Sequence, residues 1–193
     1  RRAVRSGSLV DGSRARGGPG LAVLKCPVPG RPRAGARSLS RMDIKGASAI
    51  VTGGASGIGA AVVKQLAARG AKVLIADLQE DKGQALAKEV GGAFCKVDVT
   101  NTDQIIEAVE MAKSMGPVRV LVNSAGIGWA QRTVGKDGTY ESAADLSWYK
   151  RVININLIGT FDFCRIAATA MSTTAPMGSG ERGAIVNIAS VCV

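Results

Sequence analysis

The chain has no histidine, which removes every mechanism built on a histidine base or a histidine metal ligand from these 193 residues. Its four cysteines, Cys26, Cys95, Cys164 and Cys192, make no close pair and no zinc spacing, so neither a disulfide framework nor a metal site is expected. Cys95 and Cys164 sit in apolar runs, which favours reduced core thiols in a reducing compartment. No uninterrupted apolar run is long enough to span a bilayer, so no membrane partner is expected. Acidic residues are nearly missing from one end. Residues 1–41 hold ten basic side chains against the single acid Asp11, a net +9, and this leaves the remainder at only +1 of the total +10.

That basic stretch also carries seven glycines and four prolines without apolar periodicity, so it is expected to be a disordered basic extension. Three origins compete for it. It is sequence upstream of a fold that starts at Met42, or an Arg-rich transit peptide, or a nucleic-acid-binding arm. The near-neutral remainder argues against nucleic acid as a partner. The expected location is the cytoplasm, or the mitochondrial matrix if residues 1–41 are a transit peptide.

From Met42 strands and helices alternate. Ala47 to Thr52, Lys72 to Asp77, Ala93 to Val99, Val118 to Asn123 and Ala184 to Ser190 read as strands, most of them short apolar runs of the kind buried on both faces. Helical spacing marks Gly57 to Arg69 and Leu78 to Val90. Thr100 and Asp103 are spaced as a capping box opening a third helix, with Ile105, Ile106, Val109 and Ala112 on one face. A fourth helix runs from about Ala144 to Met171, with a stripe of Leu146, Tyr149, Val152, Ile153, Asn156, Leu157 and Thr160. The alternation predicts an α/β fold, a doubly wound parallel sheet in the order 3-2-1-4-5, with its crevice at the carboxyl ends of strands one and four.

Within that frame, Ile50 to Gly59 is a buried strand running into a glycine-rich turn that opens a helix. Gly53 permits the tight strand exit, while Gly57 and Gly59 bring backbone N–H groups close to a pyrophosphate at the helix N-terminus. Asp77 stands at the next strand end, near the spacing at which an acid binds the adenosine ribose hydroxyls. Its carboxylate repels a 2′-phosphate, and neither Ser56 nor Leu78 offers a positive charge to bind one, so NAD is expected over NADP. Asp98 ends the third strand on the same edge, either to meet the adenine amino group or simply to turn the chain into the next helix.

These residues, with Asn123-Ser124-Ala125-Gly126, Asn156-Leu157-Ile158-Gly159 and Ile185-Val186-Asn187-Ile188-Ala189-Ser190, resemble the short-chain dehydrogenase/reductase family from about residue 42 onward. Thr52 to Gly59 is similar to its T-G-x-x-x-G-x-G, and Asn123 to Gly126 to its N-N-A-G, with Ser124 replacing the second asparagine. The loop from Ile127 to Ala143 and the turn from Pro176 to Gly183 look most like type II 3-hydroxyacyl-CoA dehydrogenases. The resemblance implies an NAD-dependent oxidoreductase of secondary alcohols, of 3-hydroxyacyl-CoA or hydroxysteroid type, with a small-molecule substrate and a homo-oligomeric full-length protein. It makes Thr52, Gly53, Ser56, Gly57, Ile58, Gly59, Asp77, Leu78, Asp98, Val99, Asn123, Ser124, Ala125 and Gly126 the cofactor-binding set. It also gives Ser190 the substrate oxygen, and Asn156 a water in the proton relay.

One element of the family is missing. Its chemistry uses a Tyr-x-x-x-Lys pair, but the residue four after Tyr140 is Ala144, and the one four after Tyr149 is Ile153. In the family that tyrosine follows the serine, on the next helix, and it must reach the same oxygen. The expectation is therefore a C-terminally truncated cofactor-binding domain over 42–193, incomplete at its C-terminal edge and inactive alone. The alternative is a non-catalytic NAD-binding module. Either way, the fifth strand is expected to be an apolar edge ending in Val191-Cys192-Val193.

Overall fold

The computed structural model of the chain describes residues 42–178 and 180–190. The expected basic extension over 1–41 and the apolar ending Val191-Cys192-Val193 lie outside the described residues. Five parallel strands form one sheet: β1 (Ser48–Thr52), β2 (Lys72–Asp77), β3 (Ala93–Lys96), β4 (Val118–Asn123) and β5 (Ala184–Asn187). Their order is β3-β2-β1-β4-β5, as the alternation predicts. Helices α1 (Gly57–Ala68), α2 (Glu80–Val90), α3 (Thr102–Met115), α4 (Leu146–Ile153) and α5 (Thr160–Ser172) complete the layers.

Because strand side chains alternate between faces, each strand feeds two cores. Ala49, Val51, Val73 and Ile75 pack with Val63 of α1 and Leu86 of α2, whereas Ile50, Leu74 and Leu121 pack with Ile105 of α3 and Phe163 of α5. Phe163 is fully buried, a contribution of about 1.5–3 kcal/mol from that side chain alone. The register aligns the strand ends as well. Thr52 stands beside Ala76 and Asn123, and Asn123 beside Asn187, so one row of side chains crosses the sheet just before its carboxyl edge.

The structure corrects four expectations. Strands three and five end at Lys96 and Asn187, earlier than the expected Val99 and Ser190. The third helix is capped not by Thr100 but by Asn101, whose side chain accepts the N–H groups of Asp103 and Gln104.

The fourth helix is not continuous. A π-helical turn, Asn154–Gly159, separates α4 from α5 and shifts the facing of everything before it. Leu146, Tyr149, Asn156 and Leu157 of the expected stripe are exposed, and Val152, Ile153 and Thr160 are only half-buried. The buried face consists of Gly159, Asp162, Phe163, Ala167 and Met171.

Beside β4, β5 and the residue that follows it present an apolar edge, with Ile185 37%, Val186 50% and Ile188 38% exposed. No helix among the described residues is long and apolar enough to cross a membrane.

Candidate functional site

The carboxyl ends of β1, β2 and β4 converge on the glycine turn. Gly53 has φ +62°, and a Cβ there would lie 2.7 Å from the Ala125 nitrogen, so both conformation and space require glycine. A Cβ on Gly59 would collide with the Gly53 carbonyl oxygen. The helix therefore starts directly against the turn that precedes it. Gly57, at φ +53°, has nothing within 4 Å of where a Cβ would stand and faces open space. Ser56 is the exposed N-cap of α1, in extended backbone, and its side chain makes no cap hydrogen bond. Ile58, 63% exposed, follows it on the rim. The first turn of α1 thus presents unsatisfied N–H groups to an open cradle, the local arrangement that receives anions.

Thr52 is buried, and its Oγ1 accepts the N–H groups of Ser124 at 3.2 Å and Ala125 at 3.1 Å. One hydroxyl thereby fastens the end of β1 to the segment Asn123–Gly126. Replacing the family's second asparagine by Ser124 leaves this fastening in place, because it uses the backbone. Gly126 closes the segment against Asn156, whose Oδ1 would lie 3.2 Å from a Cβ on that glycine.

Asp77 is buried, 7% exposed. Its Oδ2 accepts the N–H of Ala55 inside the glycine turn, and its Oδ1 accepts the N–H of Gln79, both at 2.9 Å. Each oxygen keeps a lone pair for a further donor. Leu78 beside it is exposed and covers the rim.

Asp98 ties the chain after β3 to the start of α3. Its Oδ1 accepts both the N–H and the hydroxyl of Thr100, while its own N–H donates to Gln104 Oε1, so it builds the turn into α3. Val99 lies against the π turn, its carbonyl oxygen 2.7 Å from where a Gly159 Cβ would stand.

Asn156 is exposed, and its partner is backbone rather than a buried side chain. It accepts the Ile127 N–H at 2.9 Å and donates to the Ile127 carbonyl at 2.8 Å, fixing the loop as it leaves β4. Ser190 is exposed, three residues beyond the end of β5. That end is held by Asn123, which accepts the Ile188 N–H through its carbonyl and donates from Nδ2 to Asn187 Oδ1, both at 2.9 Å.

Sequence reasoning missed Ala55, Gln79, Ile127 and Asn187. For Asn187 a signal existed: β4 and β5 share the ending Val-Asn, at Val122-Asn123 and Val186-Asn187. The others act through backbone groups or through an exposed side chain, and neither leaves a residue pattern.

The cysteines diverge. Burial, reinforced by the charge of Glu107, pushes the Cys95 thiol above its ordinary pKa, so it behaves as an inert core group. Cys164 is only half-buried and lies 3.3 Å from Asn123 Nδ2. Among the described residues no group of three or more His, Cys, Asp or Glu could hold a metal.

Comparison with known proteins gives the same picture. The family model described as short chain dehydrogenase matches residues 47–192. A 3-hydroxyacyl-CoA dehydrogenase type-2 of Drosophila melanogaster is 43% identical over 151 residues, 77% of this chain and 58% of the relative. A 3-alpha-(or 20-beta)-hydroxysteroid dehydrogenase of Mycobacterium bovis is 37% identical over 149 residues, 76% of this chain and 52% of the relative. The crystal structure of 3-hydroxyacyl-CoA dehydrogenase type-2 from Mycobacterium avium superposes with a TM-score of 0.69 at 42% identity, covering 74% of this chain and 55% of that one. The chain thus spans little more than half the length of these relatives. With the strand order, the glycine turn and these matches in agreement, the chain belongs to the short-chain dehydrogenase family.

Proposed function

We propose that this chain is the cofactor-binding part of an NAD-dependent oxidoreductase of secondary alcohols, acting on a small-molecule substrate of the 3-hydroxyacyl-CoA or hydroxysteroid type. The observation that carries the reading is Asp77, a carboxylate locked onto the glycine turn through Ala55 N–H and kept at the rim of the open cradle. That geometry suits ribose hydroxyls, which donate, and opposes a 2′-phosphate, which brings a second negative charge.

The residues fit the group. The N–H groups at the head of α1 receive the pyrophosphate, with Ser56 beside them and Gly57 leaving the space open. Asp98 and Val99 border the adenine, and Asn123 to Gly126, fastened by Thr52, form the surface beneath it. When bound, the nicotinamide supplies the hydride acceptor. Ser190 positions the substrate oxygen from the end of β5, and Asn156 keeps the loop after β4 in place while serving the proton relay that its motif implies. Exposed Leu146, Tyr149, Leu157 and Phe161 on α4, the π turn and α5 support a homo-oligomeric full-length protein.

With no Tyr-x-x-x-Lys pair in the 193 residues, the chain by itself holds the dinucleotide without turning it over. Calorimetric titration with NAD⁺, paired with an NADH-absorbance assay on a 3-hydroxyacyl-CoA, tests both halves of the reading. Binding without turnover is the expected result. Failure to bind NAD⁺ overturns the cofactor assignment, and turnover overturns the inactivity.

A further inference from the structure

The rim beside Asp77 is built by the turn into α2, and its charges are tied to one another. Lys82 Nζ donates to Gln79 Oε1 at 2.8 Å, and Gln79 Nε2 donates to Ser56 Oγ at 3.3 Å. The backbone N–H of the same Gln79 holds Asp77 Oδ1 at 2.9 Å. Lys96, which stands opposite Asp77 in the β2–β3 register, is drawn to Glu80 at 3.5 Å. One neutral residue thus touches the acid, the N-cap of α1 and the cation on the first turn of α2.

We propose that Gln79 is a specificity-determining residue of the dinucleotide site, keeping the Lys82 ammonium on its own carboxamide and so away from a 2′-phosphate at the rim between Ser56 and Asp77. The inference rests on the reading of the glycine turn and Asp77 as an NAD site. The sequence offers no cation at Ser56 or Leu78, yet the fold brings Lys82 to the same rim. A 2′-phosphate is held by charge-assisted hydrogen bonds, and Lys82 has the reach and the three donors to make them. Gln79 competes for that ammonium. It does so without charge of its own, so the ribose hydroxyls meet an unaltered Asp77. Discrimination then comes from two sources, repulsion by Asp77 and occupation of Lys82, and the second can be removed without disturbing the first.

The test is calorimetric titration of the 193-residue chain with NAD⁺ and with NADP⁺, for the parent, Gln79→Ala, and Gln79→Ala combined with Lys82→Ala. Gln79 is exposed, so its truncation leaves the fold intact. The expected result is an affinity ratio that favours NAD⁺ in the parent and narrows about fivefold in Gln79→Ala, the scale of one exposed charge pair. The narrowing comes chiefly from tighter NADP⁺ binding, and the added Lys82→Ala abolishes it. An unchanged ratio in Gln79→Ala, or a narrowing that persists without Lys82, overturns the role of Gln79 and leaves the NAD site standing. A parent chain that binds neither dinucleotide overturns both.

Discussion

The Asp77 carboxylate accepts the backbone N–H of Ala55 at 2.9 Å, joining the end of β2 to the interior of a turn 22 residues away. A single side chain therefore sets the shape of the cradle and the charge at its rim. On the proposed reading, binding preference and local stability are coupled through it.

Asp77→Asn separates the two. A carboxamide offers one acceptor oxygen where the carboxylate offered two, so either Ala55 or Gln79 loses its partner. The expected cost is about 1–3 kcal/mol in urea unfolding. NAD⁺ affinity falls, and the disadvantage of NADP⁺ shrinks because the repelling charge is gone. A variant that unfolds at the parent's urea midpoint would show that Ala55 and Gln79 do not depend on the acid.

Such couplings mark the limit of what the residues reveal unaided. The sheet order and the bounds of β2 and β4 follow from alternation and apolar runs, because buried parallel strands have little other way to look. Gly53, Gly59 and Asp77 are legible for a like reason, since close backbone approach or charge dictates their residue types, whereas Gly57 is dictated by its positive φ and Thr52 is legible only through the family resemblance. The π turn is not. A single inserted residue per turn leaves no compositional trace, so Leu146, Tyr149 and Leu157 read as a core stripe when Phe163, Ala167 and Met171 fill that role. Gln79 is likewise invisible, since nothing distinguishes a bridging glutamine from a solvated one before the rim is assembled.

Thr52→Val keeps the shape and removes the acceptor. Ser124 N–H retains the Thr52 carbonyl at 3.2 Å, but Ala125 N–H loses its Oγ1 partner. The expected loss is about 1–2 kcal/mol, read as a lower urea midpoint with an unchanged slope. Faster amide exchange at Ala125 than at Val51 would locate the damage at the β1–β4 fastening.

Alanine at Gly59 and at Gly57 gives opposite signatures. At Gly59 the new Cβ collides with the Gly53 carbonyl, so the turn must move and about 3 kcal/mol of stability is lost. At Gly57 the methyl meets nothing, and the cost is about 1–2 kcal/mol for the left-handed backbone. That methyl sits in the open cradle, however, and it lowers NAD⁺ affinity more than it lowers stability. Chemical denaturation and calorimetry on the same two variants separate these effects.

Asn156→Leu removes both bonds to Ile127 without a large change in size. The loop leaving β4 is then untethered at its first step, with an expected stability loss of about 1–2 kcal/mol. Hydrogen exchange should accelerate at Ile127. Asn156→Asp is the sharper probe, since it keeps an acceptor for the Ile127 N–H but sets a carboxylate against the Ile127 carbonyl. If both variants exchange like the parent, Asn156 does not hold the loop.

Acid should act first on the far end of that loop. Asp145 is the N-cap of α4, where its Oδ1 accepts the Ser147 N–H at 2.8 Å. The Ser147 hydroxyl, the Ser147 N–H and the Trp148 N–H hold its carboxyl below the ordinary value of 3.8. Asp137, within the loop, is lowered in the same direction by Ser142 and Thr139. For a carboxyl whose folded pKa is depressed, the stabilisation is complete above the unfolded value and disappears as pH falls through the folded one. The cap therefore persists at neutral pH and weakens below about pH 4. α4 buries no residue, so little tertiary packing opposes fraying once the cap is protonated. The protection of the Ser147 and Trp148 amides, relative to their intrinsic exchange at each pH, should fall across that window, ahead of protection in β1. Asp145→Asn keeps an acceptor that does not titrate, and it should flatten the dependence. A parent and variant with the same acid profile at Ser147 would place the origin of the fraying elsewhere than in this cap.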